Sequence, residues 1–169
     1  TSWTETTDMG IAQKAHGGAG LQGTALSCGG ESPSNTGFVT QEFNRSINVI
    51  TAGAWAAAAN FNTVRSNAKG AGTQELAVAF GGQTPPSPAF TVRAETEEYN
   101  GSSWTESGDM SNARREHAGF GIQTAAVAFG GENPGDAQMN ATENYNGSSW
   151  TSSGTYPLEI GNHGATGTQ

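Results

Sequence analysis

Three histidines each stand 13 residues after a tryptophan: His16 after Trp3, His117 after Trp104 and His163 after Trp150. They are the only histidines in the chain, and Ala68 holds the same place after Trp55. Imidazole is a ligand type suited to zinc, copper or nickel, and His117 with His163 is the candidate pair. No Asp, Glu or Cys shares their strand position to complete a coordination sphere. The expectation is therefore no metal, with the imidazoles set along a polar channel wall.

Glu95, Glu97 and Glu98 precede Tyr99, and Glu143 precedes Tyr145 in the same way. Paired carboxylates do acid–base chemistry when held at a defined separation. Along one strand they instead predict a solvated face. Cys28 is the sole cysteine, so no intrachain disulfide can form. Its place, where later repeats carry Phe80 and Phe129, suits a small apolar strand residue better than a reactive thiol. Asn100-Gly101-Ser102 and Asn146-Gly147-Ser148 have the form of N-glycosylation acceptors, as do Asn44-Arg45-Ser46 and Asn140-Ala141-Thr142. Asn-Gly is equally a hairpin signal of type I′, and the turn is the expected role. No GxSxG, HExxH or phosphate loop occurs. No catalytic residue is assigned, and no cofactor is implied.

The elements that must position these residues repeat. NGSSWT occurs at Asn100–Thr105 and Asn146–Thr151, and AVAFGG at Ala77–Gly82 and Ala126–Gly131. Double glycines Gly29-Gly30, Gly81-Gly82 and Gly130-Gly131 follow at intervals of 52 and 49 residues. Trp3, Trp55, Trp104 and Trp150 keep step at 52, 49 and 46. A period of about 50 residues with a double glycine, a Tyr and a Trp marks a propeller blade of kelch type. The class expected is all-β, in four-stranded antiparallel blades.

One repeat reads as follows. Glu116–Gln123 is a short glycine-rich strand. Thr124–Phe129 is an unbroken apolar run, as a strand covered on both faces requires. Glu132–Met139 is a polar loop with Pro134 and Gly135, Ala141–Tyr145 a third strand, and Ser148–Ser152 a fourth that carries Trp150. The preceding repeat matches it, with Tyr99 and Trp104 in the same slots. The first repeat diverges: Phe43 to Trp55 is 12 residues where Tyr99 to Trp104 is five, so residues 45–53 are read as an insertion. Ala56–Ala59 is assigned to a strand end or turn despite its helical propensity.

The expected organisation is the end of a blade at 1–10, blades at 11–60, 61–110 and 111–156, and the start of another at 157–169. Three complete repeats fall short of the four to eight blades of a closed ring. The chain also begins at Thr1, so it is expected to be an excerpt of a longer or processed polypeptide, or to share a ring with neighbouring copies.

Composition narrows the partners. The net charge is −8 with seven basic residues, of which Arg114-Arg115 is the only adjacent pair. Phosphate backbones need clustered Lys and Arg, so nucleic acid is not an expected partner. No apolar run approaches the roughly 20 residues that span a bilayer. Gly, at 25 residues, is about twice the usual share of roughly 7%, which fits tight turns and closely approaching strands.

Taken together, AVAFGG, ATENYNGSSWT and NARREHAGFGIQT resemble kelch-type repeats. More narrowly, they are similar to the low-charge, Ala/Gly/Thr-rich kelch-like arrays of marine bacteriophage virion proteins, particularly fibres and appendages. That resemblance implies a non-enzymatic structural and binding module on the virion surface, its partners being further blades, virion proteins and a host-surface glycan or protein. The loops Ser32–Phe38, Gln83–Thr91 and Glu132–Met139 differ between repeats while the strands stay alike, so Phe38, Phe90 and Asn133 are the candidate contact residues. Two alternatives keep the same scaffold. One is a propeller enzyme of galactose-oxidase or lyase type, needing Tyr, His and Cys at one channel mouth. The other is a cellular kelch interaction module, secreted or at a cell surface.

Overall fold

The computed structural model describes residues 17–21, 24–28, 40–44, 54–85 and 90–168. Trp3, His16, Gly29, Gly30, Phe38, the segment 1–10 and residues 45–53 lie outside the described residues, and Cys28 and Trp55 are placed by their backbones alone.

The chain is all-β, with no helix among the described residues. The first sheet holds β1 (Gly17–Leu21), β2 (Thr24–Cys28), β3 (Thr40–Asn44) and β4 (Ala54–Ala57) in chain order. The middle sheet begins with β5 (Lys69–Gly72) and β6 (Ala77–Phe80). Its chain then detours through a two-stranded ribbon, β7 (Gln83–Thr84) with β8 (Thr91–Val92). It returns as β9 (Thr96–Tyr99) and β10 (Trp104–Ser107). The third sheet is β11 (Ala118–Ile122), β12 (Ala125–Phe129), β13 (Ala141–Tyr145) and β14 (Trp150–Thr155). Every neighbouring pair in the three sheets is antiparallel, so each is a four-stranded meander.

Residues Ala77, Val78, Ala79 and Phe80 are all buried, without alternation, because both faces of the middle sheet are covered. Val78 and Phe80 share a core with Ala126, Ala128, Tyr145 and Trp150 of the third sheet. Ala77 and Ala79 pack on the other side with Phe61, Tyr99 and Trp104, next to Ala58 and Ala59 at the exit of β4. Alanine on one side of the second strand in the middle and third sheets leaves room for the aromatic rings, and this is how a chain with so few large apolar residues fills its core.

The first strands lie innermost, with β5 beside both β1 and β11. Glycine permits that approach: a Cβ on Gly119 would stand 2.6 Å from Phe80 Cζ, inside any tolerable contact. The G-x-G triplets Gly18–Gly20, Gly70–Gly72 and Gly119–Gly121, together with residues 165–167, line one shared cavity of about 170 Å³. Thus the segment after β14 brings a fourth copy of the inner position to the same space.

The Asn-Gly hairpins differ from expectation. Tyr145 pairs with Trp150 across a four-residue loop, and of Asn146 and Gly147 only Gly147 has positive φ, at 91°. Instead of a type I′ turn, Asn146 Oδ1 accepts from Ser148 N at 3.0 Å and Ser149 N at 2.9 Å. Asn100 does the same for Ser102 and Ser103 at 3.0 and 2.9 Å. Asn braces the loop through its side chain, which removes the need for a second left-handed residue.

Candidate functional site

Two charged pairs recur at equivalent places and are wholly buried. Arg65, ahead of β5, pairs with Glu97 on β9, and Arg114, ahead of β11, pairs with Glu143 on β13 at 2.7 Å; all four side chains are 0% exposed. Each carboxylate is also met by main-chain donors of the segment entering its sheet. Asn62 N and Thr63 N donate to Glu97 at 2.8 and 3.2 Å, and Ser111 N and Asn112 N to Glu143 at 2.7 and 3.3 Å. The guanidiniums also donate to main-chain oxygens: Arg65 to Glu95 O at 2.6 Å, and Arg114 to Ala141 O at 2.8 Å and Gly130 O at 3.1 Å, while Arg114 Nε has no partner among the described residues. Burial lowers the pKa of Arg114, and Glu143 works against that shift.

The solvated strand face expected of the glutamates is therefore corrected for Glu97 and Glu143. The third strand is interior to its sheet, and a carboxylate survives on its covered face because a guanidinium and two amides replace its water. Only Glu95 and Glu98 stay partly exposed, Glu95 against Arg93 at 3.0 Å. The adjacent basic pair is divided, Arg114 being buried within its repeat while Arg115 turns toward the loops.

Each described double glycine receives the next repeat. Gly81 and Gly130 have φ of 64° and 65°, and a Cβ on either would stand 2.6 Å from an imidazole Cε1, of His117 and His163 respectively. His117 is fully buried with its ring centroid 5.6 Å from that of Phe80, and His163 lies 5.0 Å from Phe129. The imidazoles thus seat in the joints between repeats, in place of the channel wall expected for them, and His117 does not line the cavity. Among the described residues no group of three His, Cys, Asp or Glu is placed to hold a metal ion.

The joints are completed by the Tyr and Trp of the second and third repeats. Trp104 and Trp150 are 5% and 7% exposed. Trp150 stands edge-on to Phe80 at 4.8 Å, and Trp104 to Phe61 at 4.5 Å. Their indole N–H groups donate across the joint, Trp150 to Thr96 Oγ1 at 2.8 Å and Trp104 to Ala59 O at 3.0 Å. The Tyr145 hydroxyl donates to Glu98 at 2.7 Å and meets Ser107 Oγ, both on the middle sheet. Burial, with the Glu98 carboxylate, pushes this phenol up to about 12. Tyr145→Phe is expected to cost about 1 kcal/mol in urea denaturation, and a midpoint equal to wild type would show that the hydroxyl contributes nothing to the joint.

At the end of the sheets where the double glycines lie, Arg115 joins two loops. Its guanidinium stacks on Phe90 at 4.4 Å and donates to Gln83 at 3.0 Å, in the β6–β9 connection. It also pairs with Glu132 at 2.7 Å and Asp136 at 3.0 Å, in the β12–β13 connection. Phe90 is partly exposed and Asp136 is exposed. Asn133 serves as a brace, its Oδ1 accepting from Gly135 N at 2.8 Å and Ala137 N at 3.1 Å. Two of the three candidate contact residues, Phe90 and Asn133, thus belong to one connected loop surface carrying an aromatic face, carboxylates and amides. Such a surface can stack and hydrogen-bond a ligand.

Sequence reasoning missed Gln123, whose Nε2 donates to Tyr99 O at 2.8 Å and Ala77 O at 3.2 Å and so ties the third sheet to the middle one. The signal was present: Gln22, Gln74, Gln123 and Gln169 each follow a G-x-G triplet or its A-x-G counterpart by two residues.

No family model and no curated protein matches this chain. Among solved structures it is similar to the structure of YjhT, with a TM-score of 0.74 and 16% identity over 90% of this chain. The chain spans 54% of the length of that protein. At that identity the likeness is one of fold alone.

Proposed function

We propose that this chain is a stretch of kelch-like β-propeller and works as a non-enzymatic binding module of a bacteriophage fibre or appendage. Its β6–β9 and β12–β13 loops meet a host-surface glycan or protein. Repeated four-stranded meanders whose inner strands share one cavity support the propeller reading, as does the fold likeness to YjhT. The double glycines and the Tyr–Trp joints support the kelch type, and the phage setting rests on the texture of the repeats alone.

The observation that carries the binding role is the loop surface around Arg115. The sheets repeat almost residue for residue, while these two connections differ in length and structure and are nonetheless fixed to each other. Fixing two loops before a partner arrives lowers the ordering cost of binding. Against the oxidase-type alternative, the Tyr145 hydroxyl is held in a sheet joint and His117 is packed over Gly81, so neither faces the cavity.

The test uses the purified chain on immobilised bacterial cells and on a panel of neutral and acidic surface oligosaccharides. Phe90→Ala is expected to weaken the strongest binding at least tenfold, about 1.4 kcal/mol, with an unchanged melting temperature. Retention at wild-type strength in Phe90→Ala and in Asp136→Ala alike would count against this loop surface.

A further inference from the structure

We propose that His117 is an acid-sensitive latch between the middle and third sheets. Its imidazole is fully buried, and neither Nδ1 nor Nε2 has a hydrogen-bond partner. The ring lies over Gly81 and beside Phe80 of the middle sheet, while its Cβ occupies the space that a side chain on Gly131 would need. A neutral imidazole fits such a place as an aromatic disc. An imidazolium does not, because a buried charge needs a partner that this pocket does not supply.

The surrounding charges act in the same direction. Arg114 precedes the ring on its own segment, Lys69 approaches from β5, and His163 from the segment after β14, each disfavouring a further positive charge. Phe80, Gly81 and Met110 bring no charge, and the neighbouring carboxylate of Glu116 acts on Lys69. Burial is the leading cause that holds His117 well below the ordinary imidazole range. Since the unfolded chain protonates near pH 6.5 and the folded one does not, the unfolded state binds the extra proton. Stability from this joint is complete above about pH 6.5 and is lost as the pH falls below it.

Acid therefore acts where the third repeat meets Gly81 of the middle sheet. Ala68 occupies the matching position in the preceding repeat, so Ala is a side chain that the position accommodates. The experiment compares wild type with His117→Ala and His117→Gln in urea denaturation from pH 7.5 to 5. Hydrogen exchange is followed at the Gly81 and Gly82 amides, which donate to Glu95 O and Arg114 O. Between about pH 6.5 and 5 the wild-type folding equilibrium is expected to fall by up to about tenfold per pH unit more than in either variant, with added exchange at Gly81 and Gly82. Parallel pH profiles for wild type and variants would overturn the latch. Should the variants fail to fold, the Cε1 proton shift of His117 in the wild type decides: titration near pH 6.5 in the folded protein refutes the proposal, and its absence down to pH 5 supports it.

Discussion

Arg114→Ala is expected to destabilise the protein by about 3–5 kcal/mol, a large share of the roughly 5–15 kcal/mol that holds a domain folded. The cost arises on the partner. Glu143 would remain fully buried, its guanidinium gone and only the Ser111 and Asn112 donors left. Gly130 O and Ala141 O lose the Arg114 donor at the same time, Ala141 O keeping the Gly130 N–H at 3.2 Å. Arg114→Met combined with Glu143→Leu removes both charges and is expected to recover most of the loss, because well-packed apolar replacements of a buried pair are often neutral. In guanidinium chloride the single variant should thus lie far below the double. Equal midpoints for Arg114→Ala and wild type would show the pair to be energetically idle. The register offers its own precedent, since Gln13 and Gln41 stand in the first repeat where Arg65 and Glu97 stand in the second.

How much of this was legible in the sequence depends on the distance over which each constraint acts. The second strands were readable, because an apolar run such as AVAF ending in a double glycine carries its own boundaries. The strand register from Tyr to Trp was readable for the same reason, and β9–β10 and β13–β14 pair Tyr99 with Trp104 and Tyr145 with Trp150. Glu97 and Glu143 were misread, since TEEY and TENY look like half-exposed strands to any local pattern. Their partners lie 32 and 29 residues earlier in the chain. What betrays them is recurrence: Arg65 and Arg114 keep the 49-residue step of Trp55 and Trp104, and the two glutamates keep the 46-residue step of Trp104 and Trp150.

The candidate contact surface was legible only as variability. Loop differences named Phe90 and Asn133, but composition could not say that Asn133 spends its carbonyl oxygen on its own loop. Nor could it say that Arg115 would bring two loops together, because that requires knowing that successive repeats lie side by side. His117 and His163 were placed in the correct repeat position and the wrong environment. A thirteen-residue offset from Trp fixes where along the chain the ring stands, whereas the positive φ of Gly81 and Gly130 decides that it is received by the preceding repeat.

Trp150→Ala is expected to cost about 3–5 kcal/mol and to change how the protein unfolds. The indole closes the joint between the middle and third sheets: it stands 4.8 Å from Phe80 and 5.0 Å from Tyr145, and its N–H satisfies the buried Thr96 hydroxyl. Truncation leaves a cavity between fully buried rings and strips Thr96 Oγ1 of its donor. Trp150→Phe keeps a ring on Phe80 and loses mainly the hydrogen bond, so a smaller loss, of the order of 1 kcal/mol for that bond, is expected. Sheets that stack as repeats are stabilised chiefly by their neighbours, so a weakened joint should also reduce cooperativity. Trp150→Ala is expected to unfold in guanidinium chloride with a lower midpoint and a shallower transition, the third sheet releasing ahead of the middle one. Hydrogen exchange should place the early loss at Ala126–Phe129 and Ala141–Tyr145 and leave Ala77–Phe80 protected on its Trp104 side. A single steep transition at the wild-type midpoint would mean that Trp150 fills space without holding the sheets together.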